Sequence, residues 1–425
     1  MKTKLLYVSF MCLFLVGCDK SVDPVPASMN QFNIKVNSPA PSITEYEVLI
    51  SQQDGKLLLD TLLSSSVPVH TLQVKSEQQK INITTVTKYT DIDPAYFVVN
   101  SFIQVDPNNW QISDAFENFD LEKTYSSSTK SRSVIRYTLP VDNTVSEPYN
   151  GKYFAATNNY GFSSIQSSGV LSVNYDRTMP SSMTYLLLPE LGKYFFKEVS
   201  SGDVIVDQAE AGNVVKHNFI LPQSFTFHSV NLFAYQQADS YTDPLELYNT
   251  GSIRSNYPNF DKPSHHLMYP SQIFKEYELR VGLVDENQNL YLFYNIVKDI
   301  PTDLNSVTKP NYSIVNKTFK NFSIEFPKEK PTYYSLILTS ERSKLYSTWL
   351  VQLPADITSF NAEEFLYNLS PKLLKNEDLS TFSPNRISLT SAAGYNYQDF
   401  FTYVFSPEKL KERKLKQYVR VRASL

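Results

Sequence analysis

The chain has 425 residues, which is enough for about two to four domains, each able to bury a hydrophobic core. Hydrophobic residues make up 42% and charged residues 19%, as is typical of globular proteins, and the net charge of −4 makes nucleic acid a poor candidate partner. The 29 Tyr and 27 Phe favour pleated β-structure, whereas only 11 Gly argue against the glycine-rich phosphate-binding loops of nucleotide-binding folds. The composition therefore predicts a mainly β protein.

The first eighteen residues have the pattern of a bacterial export signal. Lys2 and Lys4 precede the mostly apolar run Leu5–Val16, which is too short and wrongly flanked for a transmembrane helix. The segment Leu15–Cys18 resembles the lipobox of bacterial lipoproteins, with an apolar residue three positions before the cysteine and a small residue just before it. The resemblance covers only this leader.

The resemblance implies cleavage before Cys18 and acylation of that cysteine, so that residues 1–17 are a signal peptide and residues 18–30 a lipidated tether. Cys12 would be discarded with the leader, which leaves Cys18 as the single cysteine of the mature chain. One acyl chain anchors a protein only marginally, since each buried methylene contributes about 0.8 kcal/mol. Several chains on Cys18 are therefore expected to hold the protein on the outer membrane, facing either the periplasm or the exterior.

Residues 31–112 have the pattern of a small antiparallel β-sandwich of immunoglobulin-like or transthyretin-like size. Short runs of alternating apolar and polar residues are separated by turn residues, and Asp54 with Gly55 gives the clearest hairpin signal, between Tyr46–Ile50 and Leu57–Leu62. The other predicted strands are Phe32–Val36, Thr71–Val74, Ile81–Val86, Tyr96–Val99 and Phe102–Val105.

The rest of the chain continues the strand pattern. Three further β units are predicted, with the bounds 113–222, 223–310 and 311–425, the first of them opening on a polar linker. The unit 223–310 contains a hairpin that pairs Tyr277–Val284 with Leu290–Tyr294, and the unit 311–425 contains one that pairs Tyr334–Leu338 with Leu345–Val351. The sequence therefore predicts tandem β-sandwich domains.

Two short helices and a closing strand are predicted near the C-terminus. Asn361 and Glu364 have the spacing of an N-terminal capping pair, and Ser406 precedes Pro407 at the first position of a second helix. The segment Tyr418–Arg422 alternates apolar and charged residues, which is typical of an edge strand whose charges discourage aggregation.

No segment has a convincing metal-binding pattern. His265 and His266 are adjacent and would point to opposite faces of a strand, so we expect a polar loop in place of a metal site. Asp91 and Asp93 are weak candidates for a calcium site and are better explained by a turn before Pro94. We expect neither a metal nor a cofactor.

Catalytic motifs are also absent from the sequence. It has no Gly-x-Ser-x-Gly elbow, no His-Glu-x-x-His helix and no phosphate-binding glycine loop, so we do not expect an enzyme. A glycosidase needs only two suitably placed carboxylates and stays as a weaker alternative.

Tyr149, Tyr153 and Tyr160 lie among Asn and Gly residues and are weak candidates for rings that stack on sugars at one end of a sandwich. In layout the chain resembles the glycan-binding accessory lipoproteins of outer-membrane uptake systems and also the lipoprotein-derived pilins, whose sandwiches exchange strands. These resemblances imply that the protein is a lipid-anchored binding or structural module. Its expected partners are the membrane and either a glycan or another envelope protein.

Overall fold

The computed structural model describes residues 29–37, 45–90, 95–112, 131–138, 154–157, 162–167, 170–177, 182–199, 204–206, 208–239, 241, 244–250, 266–340, 346–411 and 417–425.

Strands form where short runs of β-branched and aromatic residues lie between turn residues. The strands of the first part of the chain are β1 (Asn30–Asn37), β2 (Glu45–Ser51), β3 (Leu57–Leu63), β4 (Val69–Ser76), β5 (Ile81–Tyr89), β6 (Tyr96–Val105) and β7 (Trp110–Ile112). Those of the next part are β8 (Ser131–Thr138), β9 (Phe154–Thr157), β10 (Phe162–Ser167), β11 (Val170–Arg177), β12 (Ser182–Leu188), β13 (Lys193–Val199), β14 (Val204–Val206), β15 (Gly212–Asn213) and β16 (Val215–Asn218).

The second half of the chain adds longer strands and short helices. Its strands are β17 (Phe225–Tyr235), β18 (Leu245–Asn249), β19 (His266–Tyr269), β20 (Glu276–Asp285), β21 (Leu290–Val297), β22 (Ser313–Lys317), β23 (Phe322–Glu325), β24 (Tyr333–Thr339), β25 (Tyr346–Pro354), β26 (Ser359–Phe360), β27 (Ser383–Ala392) and β28 (Gln417–Ser424). Its α-helices are α1 (Ala362–Leu369), α2 (Tyr397–Val404) and α3 (Pro407–Lys411). The protein is therefore mainly β with short helices near the C-terminus, as predicted.

Twelve strands form one sheet in the order β18-β17-β20-β21-β28-β27-β24-β25-β6-β5-β2-β3. Neighbouring strands are antiparallel except β25 and β6, which pair in parallel from Tyr346 and Tyr96 to Gln352 and Phe102. Strands from the predicted units 31–112, 223–310 and 311–425 therefore share one continuous hydrogen-bonded sheet.

The remaining strands form smaller sheets around it. These have the orders β4-β1-β7, β10-β11-β8-β14, β15-β13-β12-β9, β16-β19 and β22-β23-β26.

Strand β2 of the large sheet is covered on both faces, because Tyr46 to Ser51 are all buried. We define the front face of the large sheet by Leu336, Leu389 and Val421. Other front-face side chains pack against side chains of the smaller sheets and helix α1, including Phe322, Ile324, Leu366 and Leu369.

We define the back face by Tyr333, Thr390 and Arg420, which are cross-strand partners in β24, β27 and β28. Apolar back-face side chains pack against β1, β7 and α2, through residues that include Phe32, Ile34, Trp110, Phe400 and Phe401. The sheet thus separates two hydrophobic cores.

The three predicted hairpins are confirmed. β2 pairs with β3, β20 with β21, and β24 with β25. In the first turn Gly55 has φ +88, and its backbone N–H donates to the carbonyl of Gln52 at 3.0 Å. A left-handed conformation of this kind favours glycine, as the Asp-Gly pair predicts.

Both predicted helix starts are also confirmed. The backbone N–H of Glu364 donates to the Asn361 side chain at 3.1 Å, and the Asn361 amide donates back to the Glu364 carboxylate at 2.9 Å. The backbone N–H of Lys409 donates to Ser406 Oγ at 3.4 Å at the start of α3. Helix α2, with Asn396 as its N-cap, was not predicted.

Two strand predictions were wrong. The separate strands predicted at Tyr96–Val99 and Phe102–Val105 are one strand, β6, because the intervening Asn100 and Ser101 are buried and continue its hydrogen bonding. The predicted edge strand Tyr418–Arg422 lies in β28, in the interior of the large sheet between β21 and β27. Its arginines therefore lie on a covered sheet face and do not protect an edge.

Candidate ligand-binding cavity

A cavity of about 590 Å³ lies on the front face, where β27 ends and β28 begins. Leu389, Val419 and Val421 give it an apolar floor. Its volume is within the range of small-molecule sites, which is about 300–1,000 Å³. The cavity is therefore large enough for a ligand of one or two sugar rings.

Two loops form the walls of the cavity. One is 306–311, which leads into β22, and the other is 326–332, which joins β23 to β24. Thr332 fixes the second loop against the sheet, because its hydroxyl accepts a hydrogen bond from the backbone N–H of Ala392 at 2.9 Å. Val307, only 1% exposed, anchors the first loop in the front-face core.

Three lysines line the cavity, but ion pairs offset two of their charges. Lys330 Nζ lies 2.7 Å from a carboxylate oxygen of Asp356. Lys309 contacts the carboxylate of Glu286, and its hydrogen bond lowers the pKa of that carboxyl. The third lysine of the lining, Lys328, is next in sequence to Glu329, which also lines the cavity and carries a negative charge.

The remaining polar lining consists of neutral hydrogen-bonding groups. They include the amides of Asn311 and Gln417 and the hydroxyls of Ser306, Thr308 and Ser391. Amides both donate and accept hydrogen bonds, as hydroxyls do. Such groups above an apolar floor match a neutral, hydroxyl-rich ligand better than a strongly charged one.

One feature of the sequence points to a wall of this cavity. Its second loop contains Lys328–Lys330 between Pro327 and Pro331, a composition typical of an exposed loop. None of the lining residues was predicted from the sequence to belong to a site.

The site residues predicted from the sequence lie outside the described part of the chain. These residues are Cys18, Asp91, Asp93, Tyr149, Tyr153 and Tyr160. The lipidation site, the weak calcium candidate and the tyrosine cluster therefore stay predictions from the sequence.

Two histidines in the described ranges each contact a backbone carbonyl oxygen. His217 Nε2 is 2.9 Å from the carbonyl oxygen of Pro301, and its ring packs against Phe219. His70 Nε2 is 2.9 Å from the carbonyl oxygen of Ser64. Among the described residues, no three His, Cys, Asp or Glu side chains cluster in a way that could hold a metal ion.

No family of known proteins matches this chain, and no curated protein is similar to it. Among solved structures, the tip fimbrial protein Mfa3 from Porphyromonas gingivalis, with a C-terminal truncation, is similar at 9% sequence identity and a TM-score of 0.16. The match covers 60% of this chain and 100% of that chain. So low a TM-score supports no argument about fold or function.

Within the described residues, no helix combines the length and the apolar character that crossing a membrane requires.

Proposed function

We propose that this chain is a lipid-anchored protein of the bacterial cell envelope that acts by binding and not by catalysis. The observation that supports the anchor is the leader, in which two lysines and an apolar run precede Leu15–Cys18. Acylation at Cys18 would join the β-rich body to the outer membrane through residues 18–30, whose two prolines and polar residues suit an extended tether.

The anchor can be tested with two single-cysteine substitutions expressed in a bacterial host with its lipoprotein-processing enzymes. Cys18→Ser should abolish both the acyl mass on the N-terminal peptide and the recovery of the protein in the membrane fraction. Cys12→Ser is the matched control, because this cysteine lies in the leader and should be removed before the protein matures. An unmodified Cys18 in the purified wild-type chain would contradict the proposal.

A glycan is the ligand class that the cavity favours. The amides of Asn311 and Gln417 and the nearby hydroxyls can hydrogen-bond sugar hydroxyls, while Leu389 and Val421 contact the apolar faces of a sugar ring. This agrees with the layout of glycan-binding accessory lipoproteins of uptake systems. The recognised group would be a neutral oligosaccharide or the end of a longer glycan.

Calorimetric titration with a panel of neutral oligosaccharides tests this ligand class. A binding sugar should lose at least about tenfold in affinity when Asn311→Ala and Gln417→Ala are combined, since each lost hydrogen bond in a desolvated site is worth about 1 kcal/mol or more. Asn316→Ala is the control, because it removes an exposed amide on β22 that does not line the cavity. Equal loss in the control, or no binding sugar, would contradict the assignment.

A further inference from the structure

Strand β3 lies at one end of the large sheet, and β18 lies at the other. The edge at β18 is covered, because β9 of a smaller sheet contacts it. In the described part of the chain, no strand pairs with the outer side of β3. An uncovered edge strand presents a row of backbone N–H and C=O groups, which is a template for pairing with another chain.

β3 lacks the basic residues and prolines that usually protect an edge strand. Five of its seven residues are leucines, and none is lysine, arginine or proline. Leu57 is 40% exposed and Leu62 is 52% exposed. By contrast, the edge strands β4, β16 and β22 of smaller sheets contain Lys75, Lys216 and Lys317. Lysine on an edge discourages pairing, so the edge of β3 is unusually open to a partner strand.

The single charged residue of β3 is already paired within the protein. A carboxylate oxygen of Asp60 lies 3.0 Å from Lys372 Nζ, and the Asp60 side chain is only 18% exposed. Its charge is therefore offset by a residue of the same chain. A strand of this kind does not repel a second strand through an unpaired charge.

The backbone groups that point outward from β3 belong to Asp60 and Leu62. In an antiparallel pair, residues that bond to the neighbouring strand alternate with residues whose N–H and C=O point away from it. The Asp60 carbonyl oxygen lies 3.5 Å from Lys372 Nζ, which indicates that it points away from β2. Leu62 is two residues further along the same regular ladder and points the same way. A carbonyl oxygen has two lone pairs, so one is left for a partner strand.

A second copy of β3 fits this edge in an antiparallel register centred on Thr61. Asp60 of each copy then lies opposite Leu62 of the other, and each such pair can exchange two backbone hydrogen bonds. Leu59 of each copy lies opposite Leu63 of the other, which brings apolar side chains together. A register centred on Asp60 would instead place two carboxylates directly opposite each other, which is destabilising. The strand is therefore complementary to itself.

We propose that β3 is a self-association edge through which two copies of the chain pair, antiparallel and centred on Thr61. The two large sheets would then continue across a two-fold axis as one sheet. The contact consists of a single pair of strands, which is a small interface, so the association should be weak and reversible. The proposal depends neither on acylation of Cys18 nor on glycan binding.

The test is sedimentation equilibrium of the full chain, in a detergent matched in density to the buffer, at up to about 0.1 mM protein. The wild type should show a monomer–dimer equilibrium. Leu62→Asp places a carboxylate opposite Asp60 of the second copy, twice in each dimer, and should weaken dimerisation at least about tenfold. Leu62→Lys places an ammonium group there and should dimerise at least as well as the wild type. The control is Val69→Asp, which adds the same charge at an exposed valine of β4 and should not affect dimerisation.

Disulfide cross-linking tests the register in a chain that also carries Cys12→Ser and Cys18→Ser. Thr61→Cys should form an intermolecular disulfide on mild oxidation, because Cα atoms of a non-hydrogen-bonded pair are about 4.5 Å apart, within the disulfide range. Thr71→Cys, at an exposed threonine of β4, is the matched control and should not cross-link above the level of random collision.

Three results would each overturn the proposal. They are a wild type that is monomeric throughout the concentration range, equal weakening by Leu62→Asp and Leu62→Lys, and equal cross-linking of the two cysteine variants. A monomeric wild type would leave the edge of β3 to a strand of a different protein. Circular dichroism of each variant checks that it is folded.

Discussion

The carboxylate of Glu47 on β2 accepts a hydrogen bond from the backbone N–H of Lys372 at 2.8 Å and another from that of Leu373 at 3.0 Å. These N–H groups open the short 3-10 turn Lys372–Leu374, whose own N-cap residue, Pro371, has no side chain that can accept them. A strand residue thereby caps a turn 325 residues further along the chain. The contact ties the C-terminal segment to the N-terminal hairpin.

Glu47→Ala should therefore destabilise the protein strongly. The substitution leaves two partly buried N–H groups without their acceptor, for which we expect a loss of about 2–4 kcal/mol in the free energy of unfolding by urea. Glu45→Ala is the matched control, because Glu45 is exposed and its ion pair with Lys88, at 3.1 Å, should be worth less than about 1 kcal/mol. A loss for Glu47→Ala no larger than that of the control would show that the capping contact contributes little.

The Glu47 carboxyl should also make the stability of the protein depend on pH. Burial raises the pKa of Glu47 above its ordinary value of 4.5, and neighbouring Asp60 raises it further, against the two backbone hydrogen bonds. The folded state then binds the proton more tightly than the unfolded state. The associated stability is fully present below pH 4.5 and is lost as the pH rises through the raised pKa.

Comparison with Glu47→Gln isolates the contribution of Glu47 and its interaction with Asp60, because titrating groups that do not interact with Glu47 act equally in both proteins. The difference in urea midpoint, wild type minus variant, should be more positive at pH 4 than at pH 8. A difference that does not change with pH, or that grows as pH rises, would contradict the raised pKa.

Local turn and cap chemistry was readable from the sequence. The hairpin at Gly55 and the helix start at Asn361 depend on residues within four positions of one another, so their patterns survive without tertiary information. Helix α2 was missed because most of Tyr397–Val404 is aromatic or β-branched, a composition with strong strand propensity. Its signal was present in Asn396, whose side chain accepts from the backbone N–H of Asp399 at 2.9 Å.

Long-range pairing was not readable. The parallel pairing of β6 with β25 joins segments about 250 residues apart, and no local pattern encodes it. The alternation of apolar residues and arginines in β28 wrongly predicted an edge strand, because alternation alone does not show which strands flank a segment. The cavity was missed for the same reason, since loops 306–311 and 326–332 meet β27 and β28 only after folding.

A second carboxylate, that of Asp285, stabilises the hairpin turn between β20 and β21. Asp285 accepts hydrogen bonds from the backbone N–H groups of Asn287 and Asn289, both at 2.9 Å, and from the Tyr291 hydroxyl at 3.0 Å. Asp285→Ala should lower the free energy of unfolding by about 2–4 kcal/mol, since these donors lose a buried acceptor. Asp54→Ala, in the exposed turn of the first hairpin, removes one contact to the backbone N–H of Lys56 and should cost less than about 1 kcal/mol.

Asp285 should respond to pH in the opposite direction to Glu47. Burial acts to raise the pKa of Asp285, but the hydrogen bonds from Asn289, Tyr291 and Asn287 outweigh it and lower the pKa below the ordinary value of 3.8. Its stabilisation is present above pH 3.8 and is lost as the pH falls through the lowered pKa. The gap in urea midpoint between wild type and Asp285→Asn should therefore narrow on acidification from pH 6 to pH 2, and a widening gap would refute the assignment.

The two tryptophans report on the two cores that the large sheet separates. Trp349, fully buried in the front-face core, donates from Nε1 to Ser101 Oγ at 3.0 Å. Trp110, only 1% exposed in the back-face core, donates from Nε1 to Thr402 Oγ1 at 3.3 Å. Each variant with a single tryptophan, Trp110→Phe or Trp349→Phe, therefore has a fluorescence signal from one core.

Because both cores rest on one continuous sheet, we expect them to unfold together. In each variant, the midpoint of urea unfolding by fluorescence should coincide with the midpoint by far-ultraviolet circular dichroism, as cooperative unfolding requires. The comparison is made within one variant, so the different losses of stability on replacing each tryptophan do not affect it. A fluorescence midpoint clearly separated from the dichroism midpoint in either variant would instead show that the core around that tryptophan unfolds independently of the rest of the protein.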